Sequence, residues 1–290
     1  MSRGLIKIMP VLFLALISLT VSSVPVQSGH AFSAGTLEEN SFSNSKPNQD
    51  KKARVAIVID DFGQHNTDGV KDIMSLDIPI TCAIMPNMEN TRGHAEEAAR
   101  RGHQVIVHLP LEPINGKKSW LGPGAITMNL PENEISNRVR NDFASVPHAV
   151  GFNNHMGSAV TVSDKMMRPI LQVARENGFF VLDSRTNDKS VIPVLSDEIG
   201  IAWAQRDIFL DNVKSPGHVD KQFDILARKA LENGKAVAIG HVGQGGNVTA
   251  RLLKEKIPQL QKQSIEFVYL SEIVNTNIVD KWIPTMPAGD

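Results

Sequence analysis

Short apolar runs alternate with amphipathic stretches along most of the chain, beginning near residue 54. The first run, at 55–59, contains five apolar residues, four of them β-branched, and is typical of a strand buried on both faces of a parallel sheet. The other runs predict strands at 78–85, 104–108, 149–152, 179–182, 199–202, 236–239 and 266–270. The amphipathic stretches predict helices at 68–76, 91–101, 131–144, 163–177, 217–233 and 247–263, the last of them broken or kinked at Pro258.

The repeated order of strand and helix predicts an α/β fold, in which helices cover a parallel sheet. Seven or eight such units favour a (β/α) barrel that is distorted or incomplete. A long segment at 109–130, with several prolines and glycines, interrupts the order. Loops of this length inside a compact domain are usually functional or mobile, and the sequence leaves open whether this one covers a site.

The first residues have the pattern of a cleaved export signal. Arg3 and Lys7 supply positive charge, an apolar run follows at 8–21, and small residues come next. Cleavage after Ser23 and cleavage after Ser28 both fit this pattern. An uncleaved anchor is the alternative, although the run is shorter than the roughly 20 residues of a membrane-spanning helix. We therefore expect a protein that is exported, to a periplasm or into the medium, and that has no stable membrane span after the leader is removed.

Composition divides the remaining chain into a folded domain and less ordered ends. The stretch after the leader is rich in Ser, Asn, Gly and Lys and lacks periodicity, which predicts a disordered linker. Cys82 is the only cysteine, so no internal disulfide can form, and its apolar neighbours predict a buried core position. The predicted organisation is a signal peptide (1–28), a linker (29–53), a folded domain (54–278) and a loose tail (279–290).

Charge and aromatic content exclude some partners. The formal net charge is −1, and the chain has no basic stripe of the kind that nucleic-acid-binding proteins carry, so we expect no nucleic-acid partner. Aromatic residues make up only 5% of the sequence, with a single Tyr, which disfavours stacking platforms for single-stranded nucleic acid. For the same reason, a sugar site in this protein would be sparingly lined with aromatic rings.

Polar residues that carry chemistry recur at the predicted strand ends. Asp60 and Asp61 follow the first strand, and two adjacent carboxylates are costly unless a cation or a proton is shared between them. The alternative is a helix cap, a common role for Asp. In a parallel barrel all carboxyl ends of strands meet at one face, where ligands bind. The other residues at this point are His108, His155, Asp183 and His241, whereas the remaining histidines fall in helices, turns or the linker and are assigned no role.

This set of side chains suits a divalent metal. One Asp and two His ligands are typical of zinc, which in catalytic sites leaves a position open for water, and manganese, iron or cobalt would also fit. Such a metal acidifies water and polarises a carbonyl, while a second carboxylate acts as general base and a histidine as general acid. The pattern therefore predicts metal-assisted hydrolysis of an amide or ester. The glycine-rich segment 242–247 leaves open an anion site, and with it a phosphoesterase, or simply a tight turn.

Five segments resemble a known family. They are Val-Ile-Asp-Asp-Phe-Gly at 58–63, Val-His-Leu-Pro-Leu-Glu-Pro at 107–113, Gly-Phe-Asn-Asn-His-Met-Gly-Ser at 151–158, Phe-Val-Leu-Asp-Ser-Arg at 180–185 and Gly-His at 240–241. Together they resemble the divergent polysaccharide deacetylases, a YibQ-like group of exported bacterial proteins related to the NodB-type carbohydrate esterases. The resemblance, which covers about 54–274, implies a NodB-like distorted barrel. It also implies metal-dependent removal of acetyl groups from an N-acetylated polysaccharide or peptidoglycan, a hydrolysis of a C–N amide bond.

The NodB pattern implies roles for individual residues. Its first Asp is the base and its second binds metal, which assigns Asp60 as base and Asp61 as a ligand, most simply of zinc. The late histidine corresponds to His241, as general acid. Asp183 would orient a histidine or bind the metal itself.

The sequence departs from the NodB pattern in the histidine ligands. NodB-type enzymes take both from one H-[ST]-x-x-H motif, which this sequence lacks. His108 and His155, which follow separate strands, are the best substitutes. Either this redistributed ligand set is active, or the protein is a catalytically inactive module of the cell envelope that binds a glycan or a partner protein.

Overall fold

Nine strands and seven helices alternate along residues 52–275, which are the residues that the computed structural model describes. The predicted signal peptide, most of the predicted linker and the predicted tail lie outside these residues. The strands are β1 (Ala53–Phe62), β2 (Thr81–Ile84), β3 (Gln104–Leu111), β4 (Ala149–Met156), β5 (Phe180–Asp183), β6 (Trp203–Gln205), β7 (Ile208–Phe209), β8 (Lys235–His241) and β9 (Ile265–Val268). The helices are α1 (Val70–Met74), α2 (Thr91–Arg100), α3 (Glu132–Ser145), α4 (Asp164–Glu176), α5 (Ile192–Ile199), α6 (Pro216–Asn233) and α7 (Gly246–Lys262).

All strand pairs in the sheet are parallel, in the order β6-β5-β4-β3-β2-β1-β8-β7, and β9 pairs with the first residues of β1. The two edge strands, β6 and β7, are consecutive in the chain, and only Arg206 and Asp207 separate them. One short segment therefore supplies both edges, which requires the sheet to curl round on itself. This confirms the predicted α/β architecture, a distorted (β/α) barrel.

Two apolar clusters occupy the two faces of the curled sheet. The larger one joins the sheet to the helices and includes Val55, Ile57 and Ile59 of β1. The smaller one includes Ala56 and Val58 of β1 and no residue of α1–α7, so it fills the inner face. Successive side chains of a strand point to opposite faces, which explains why β1 is apolar at every position from Val55 to Ile59.

The prediction fails around residue 200. The expected strand at 199–202 is wrong, because Ile199 ends α5 and the next strand begins at Trp203. The signals for α5 are present in the sequence: Pro193 lies in its first turn, and Gly200 follows its end with a left-handed φ of 82°.

The expected break at Pro258 is also absent, since α7 continues through it to Lys262. Pro258 and Lys254, the residue whose carbonyl loses its helical partner, are both exposed, so water can bind that carbonyl. Ile257 and Leu260 on the opposite side are buried and keep the helix against the sheet. Along the described chain, no helix has both the length and the apolar character that crossing a membrane requires.

Candidate metal centre

The inner face of the barrel changes from apolar to polar at the carboxyl ends of the strands. In β1 the alternation that places Val58 in the inner cluster places Asp60 next on the same face. In β3 Ile106 is followed in the same way by His108, and Asp60 pairs in register with His241 of β8. The polar end of the barrel therefore follows directly from strand periodicity.

Asp61 reaches the same site because the strand is irregular there. Ile59 pairs with Cys82 and Phe62 with Ile84, so Asp60 and Asp61 stand opposite one residue of β2, as in a β-bulge. Asp61 has a φ of 70°, a conformation that is strained for a residue other than glycine. Without this bulge, two successive side chains would point to opposite faces of the sheet. With it, both carboxylates approach His108, whose Nε2 lies 3.7 Å from Asp60 Oδ2 and 3.5 Å from Asp61 Oδ1.

Three atoms that could bind a metal ion face one another at this point. His155 Nδ1 lies 3.0 Å from His108 Nε2 and 3.4 Å from Asp61 Oδ1, and Asp61 Oδ1 lies 3.5 Å from His108 Nε2. Asp61 Oδ1 is buried and has no hydrogen-bond partner. Among the residues that the structure describes, these three form a group able to hold a metal ion. Their residue types are those of a zinc site with an open position.

The hydrogen bonds on the far side of each ring determine which nitrogen carries the proton. His108 Nδ1 donates to Asn153 Oδ1 at 2.7 Å, and His155 Nε2 donates to the carbonyl oxygen of Trp120 at 3.1 Å. In the neutral rings, the lone pairs are then on His108 Nε2 and His155 Nδ1, the two atoms that lie 3.0 Å apart. Two lone pairs at this distance beside a carboxylate repel one another unless a cation or a proton lies between them. The hydrogen bonds therefore favour a positive charge at this position, either a shared proton or a metal cation.

The two aspartates have different electrostatic environments. Burial raises the pKa of Asp60, although His108 and His241 oppose the increase. Burial acts in the same direction on Asp61, but hydrogen bonds from the protonated rings of His108 and His155 and the positive charge of the surrounding histidines outweigh it and hold the pKa of Asp61 well below its usual range. Asp61 is thus suited to bind a cation as a carboxylate, while Asp60 is suited to accept a proton. Asn153 Nδ2 donates to Asp60 Oδ1 at 2.8 Å and so orients this base.

His241 forms a pair with a buried carboxylate, Asp211. His241 Nδ1 donates to Asp211 Oδ1 at 2.7 Å, and the backbone N–H of His241 donates to Oδ2 at 2.9 Å. Thr249 and Lys214 also donate to Asp211 Oδ2. Burial lowers the pKa of His241, but Asp211 outweighs it and raises that pKa to about 9. His241 is therefore a protonated imidazolium at neutral pH, as a general acid requires.

Asp183 lies away from these residues. Its neighbour Leu182 belongs to the inner cluster, so the alternation of β5 turns Asp183 toward the other face. Its Oδ1 accepts a hydrogen bond from the backbone N–H of Arg185 at 2.8 Å. Within the described chain, no hydrogen bond or ion pair joins Asp183 to His108, His155 or His241. The structure thus brings together five of the six predicted site residues at one end of the barrel, and Asp183 lies outside this group.

Sequence reasoning missed three residues of the site. Asp211 comes shortly after the apolar residues of β7, just as Asp60 follows the apolar run of β1. The sequence pattern predicted no strand at β7, so Asp211 was not recognised as a residue at a strand end. Asn153 pairs in register with His108, but a neutral amide gives no charge signal. Trp120 contributes a backbone carbonyl, which no side-chain pattern can indicate.

The glycine-rich segment after His241 forms a tight turn. Three of its backbone N–H groups donate to nearby carbonyls: Val242 to that of Asp60, Gly243 to that of Asp68, and Gly246 to that of Gly243. A Cβ on Gly246 would lie 2.5 Å from the carbonyl oxygen of Asp68, so the glycine permits close contact between two loops. This geometry favours the turn over an anion site.

Comparison with known proteins identifies relatives of the whole folded region. The family described as divergent polysaccharide deacetylase matches residues 57–274. An uncharacterized protein of Haemophilus influenzae is 33% identical over 190 residues, which are 66% of this chain and 67% of that protein. The uncharacterized protein YibQ of Escherichia coli K12 is 30% identical over 233 residues, 80% of this chain and 70% of YibQ.

A solved structure shares the fold. The crystal structure of an uncharacterized protein from Agrobacterium tumefaciens C58 superimposes with a TM-score of 0.71 at 22% identity, over 77% of this chain and 90% of that one. The family match spans most of the described residues and includes every predicted site residue. The chain therefore belongs to the divergent polysaccharide deacetylase family and has its NodB-like, distorted-barrel fold.

Proposed function

We propose that this protein is an exported metal-dependent hydrolase that removes acetyl groups from an N-acetylated polysaccharide or peptidoglycan of the cell envelope. The observation that carries the proposal is the convergence of two imidazole lone pairs and an unpaired carboxylate oxygen, between a buried base and an imidazolium acid. Membership of the divergent polysaccharide deacetylase family supports the substrate class. The leader pattern of the first residues supports export.

The metal would be held by Asp61, His108 and His155. A zinc ion or a similar divalent cation at these atoms would supply an acidified water and polarise the acetyl carbonyl. Hydrolysis would join a water oxygen to the carbonyl carbon and break the C–N bond of the amide, which would give acetate and a free amine.

Asp60 and His241 would carry the two protons. Asp60 Oδ1 accepts from Asn153, so Oδ2 is the atom that takes the proton of the attacking water. His241 Nδ1 is bound to Asp211, so Nε2 is the atom that donates a proton to the leaving nitrogen. The raised pKa of each group matches its task, because Asp60 must accept a proton and His241 must hold one near neutral pH.

Metal content and acetate release test the proposal in three proteins: wild type, His155→Ala and Asp60→Asn. We expect the wild type to bind one zinc ion and to release acetate from peptidoglycan or a chain of N-acetylglucosamine. His155→Ala should lose the metal and the activity together. Asp60→Asn should keep the metal and lose at least about 100-fold in turnover, because general base catalysis contributes that much. Metal-loaded wild type without acetate release on any N-acetylated glycan would contradict the proposal.

A non-catalytic envelope module is the second candidate. The observation that favours it is the departure of the ligand histidines from the H-[ST]-x-x-H motif, since they come from β3 and β4. Binding of a glycan without acetate release, equal in wild type and Asp60→Asn, would support this candidate.

A further inference from the structure

The segment between β3 and α3, here called the rim loop (residues 112–130), is closed at its base. Ile126 donates its backbone N–H to the carbonyl of Pro110, and Glu112 donates to the carbonyl of Ile126, both at 2.9 Å. Glu112 Oε2 also accepts from the backbone N–H of Met128 at 2.6 Å. These bonds hold the two ends of the rim loop together, beside the carboxyl end of β3.

The underside of the rim loop packs on the barrel. Leu121 is buried, and a Cβ on Gly122 would lie 3.2 Å from Met85 Cε, at the end of β2. Arg138 of α3 donates to the carbonyl of Ala125 at 3.0 Å. The rim loop therefore forms a wall of the site with a defined position.

Trp120 stands on this wall with its ring in solvent. Its carbonyl oxygen accepts the hydrogen bond from the ligand His155, which places the residue beside the metal centre. Its side chain is nevertheless 58% exposed. Across residues 52–275 seven large hydrophobic side chains are exposed, and three of them, Ile114, Trp120 and Met128, lie on the rim loop. A large, exposed aromatic ring beside a polar site is a candidate ligand contact.

The other aromatic ring near the site has no comparable free face. Arg206 Cζ lies 3.7 Å above the ring centroid of Phe209, and the centroid of His241 is 5.7 Å from it. Among the described side chains, Lys117 Nζ is the cation over the ring of Trp120, 5.7 Å from its centroid. In a chain with so few aromatic residues, Trp120 is thus the ring available to a ligand at this end of the described barrel.

We infer that Trp120 forms a sugar-binding subsite, on which a pyranose ring of a chain of N-acetylated hexosamines stacks next to the metal centre. The C–H groups on one face of a pyranose form an apolar surface that gains free energy when it covers an indole ring. The sugar stacks on the face opposite Lys117. The inference rests on the proposed function and assigns to it a residue that selects the substrate.

The test measures binding of the tetramer of N-acetylglucosamine to zinc-loaded protein by calorimetry. The variants are Trp120→Ala, Trp120→Phe and, as matched control, Trp203→Phe. Trp203 is the first residue of β6 and therefore lies away from the carboxyl ends of the strands, where the site is. We expect Trp120→Ala to weaken binding about ten-fold, equivalent to about 1.4 kcal/mol, and Trp120→Phe to weaken it less. Zinc affinity should not change in either, because the backbone carbonyl that holds His155 remains. Trp203→Phe should bind as the wild type does.

Acetate release from peptidoglycan, measured in the same preparations, separates the two inferences. Equal tetramer affinity of wild type and Trp120→Ala overturns the subsite, and the proposed function stands if acetate is released. Failure of the wild type to bind the tetramer also overturns the subsite, and failure to release acetate as well overturns both. Loss of zinc from Trp120→Ala would show that the ring supports the loop instead of the sugar, and would likewise overturn the subsite.

Discussion

His241 shows how a single neighbour determines what a residue can do. Alone and buried, an imidazole loses its proton readily, because burial lowers its pKa. Asp211 reverses this effect through a direct bond to Nδ1 and raises the pKa of His241 to about 9. The acid of the proposed reaction is therefore a property of the pair.

Replacement of Asp211 by Asn should lower the pKa of His241. The variant removes the neighbour that raises this pKa most, while burial still favours the neutral ring and Asp61 and Asp60 oppose it more weakly, so we expect the pKa to fall clearly below about 9. Nuclear magnetic resonance of the histidine ring nitrogens as a function of pH measures this directly. A His241 pKa that stays near 9 in Asp211→Asn would mean that another group holds the proton.

At the scale of the residue, the sequence indicates side chains that the structure brings together, but not the residues that hold them in place. Asp60, Asp61, His108, His155 and His241 could be predicted because charged side chains at strand ends stand out against apolar runs. Asn153 and the carbonyl of Trp120 could not, since an amide and a backbone group leave no such contrast. The alternation of side chains along β5 indicates that Asp183 faces away from the inner cluster, since Leu182 belongs to it.

Helix α7 depends on a glycine at its first residue. Gly246 lies against the loop before α1, and a Cβ there would meet the carbonyl oxygen of Asp68 at 2.5 Å. We expect Gly246→Ala to lower the free energy of unfolding by about 1–3 kcal/mol, because backbone would have to move. Chemical denaturation measures the change.

The matched control for this prediction is Gly217→Ala. Gly217 is the second residue of α6, and a Cβ there meets nothing within 4 Å. This variant should be neutral or more stable by up to about 1 kcal/mol, since Ala is the better helix former. Equal destabilisation of the two variants would exclude the close contact as the cause.

Asp142 of α3 makes stability depend on pH. It lies against Gly124 of the rim loop and accepts a hydrogen bond from Asn87 at 2.7 Å, and burial raises its pKa to about 7. The folded protein keeps this proton while the unfolded chain releases it near pH 4, so the contribution is complete below about pH 4 and is lost as the pH rises through about 7. The loss amounts to at most about 4 kcal/mol, because one pKa unit corresponds to about 1.4 kcal/mol.

Asp142→Asn isolates this effect. The amide resembles the protonated carboxyl, so we expect the variant to be more stable than the wild type at about pH 8 and to lose this part of the pH dependence. Urea denaturation of both proteins at about pH 5 and about pH 8 measures it. A difference between the two proteins that is the same at both pH values would contradict the assignment.

Most elements could be predicted from periodicity, and the failures have local causes. The apolar residues at 199–202 favour a strand, and the helix at 192–199 is recognised only when Pro193 and Gly200 are weighed as its boundaries. Pro258 lies on an exposed side of α7, where the lost hydrogen bond costs less than it would in the core.

For the whole molecule, the metal should act as a stabilising ligand. The three proposed ligands come from β1, β3 and β4, which are brought together only in the folded state, so a cation at this site would bind the folded chain in preference to the unfolded one. At 100 times its dissociation constant, zinc should add about 2.7 kcal/mol, which raises the melting temperature by about 5–10 °C. Scanning calorimetry with and without zinc measures the shift, and His155→Ala should show none. A shift of equal size in the variant would place the ion elsewhere.

The order of the strands was beyond the reach of sequence reasoning. Alternating strands and helices predict a parallel sheet, but they do not say which strand neighbours which. β6 and β7 lie at opposite edges of the sheet although only Arg206 and Asp207 separate them. The hydrophobic pattern of the sequence gives no sign that the chain passes from one edge to the other at these two residues.

The position of β1 has a consequence for where the protein would acquire the proposed metal. Its first half, Ala53–Ile57, has strand partners only in β8 and β9, from the last quarter of the described chain. A ribosome or a translocation channel releases the first strand long before these partners. Asp60 and Asp61 therefore gain their final positions only after the C-terminal strands have been delivered. For an exported chain, we expect the ion to be taken from the compartment that receives the finished protein, and the cytoplasmic metal pool to have no part in it.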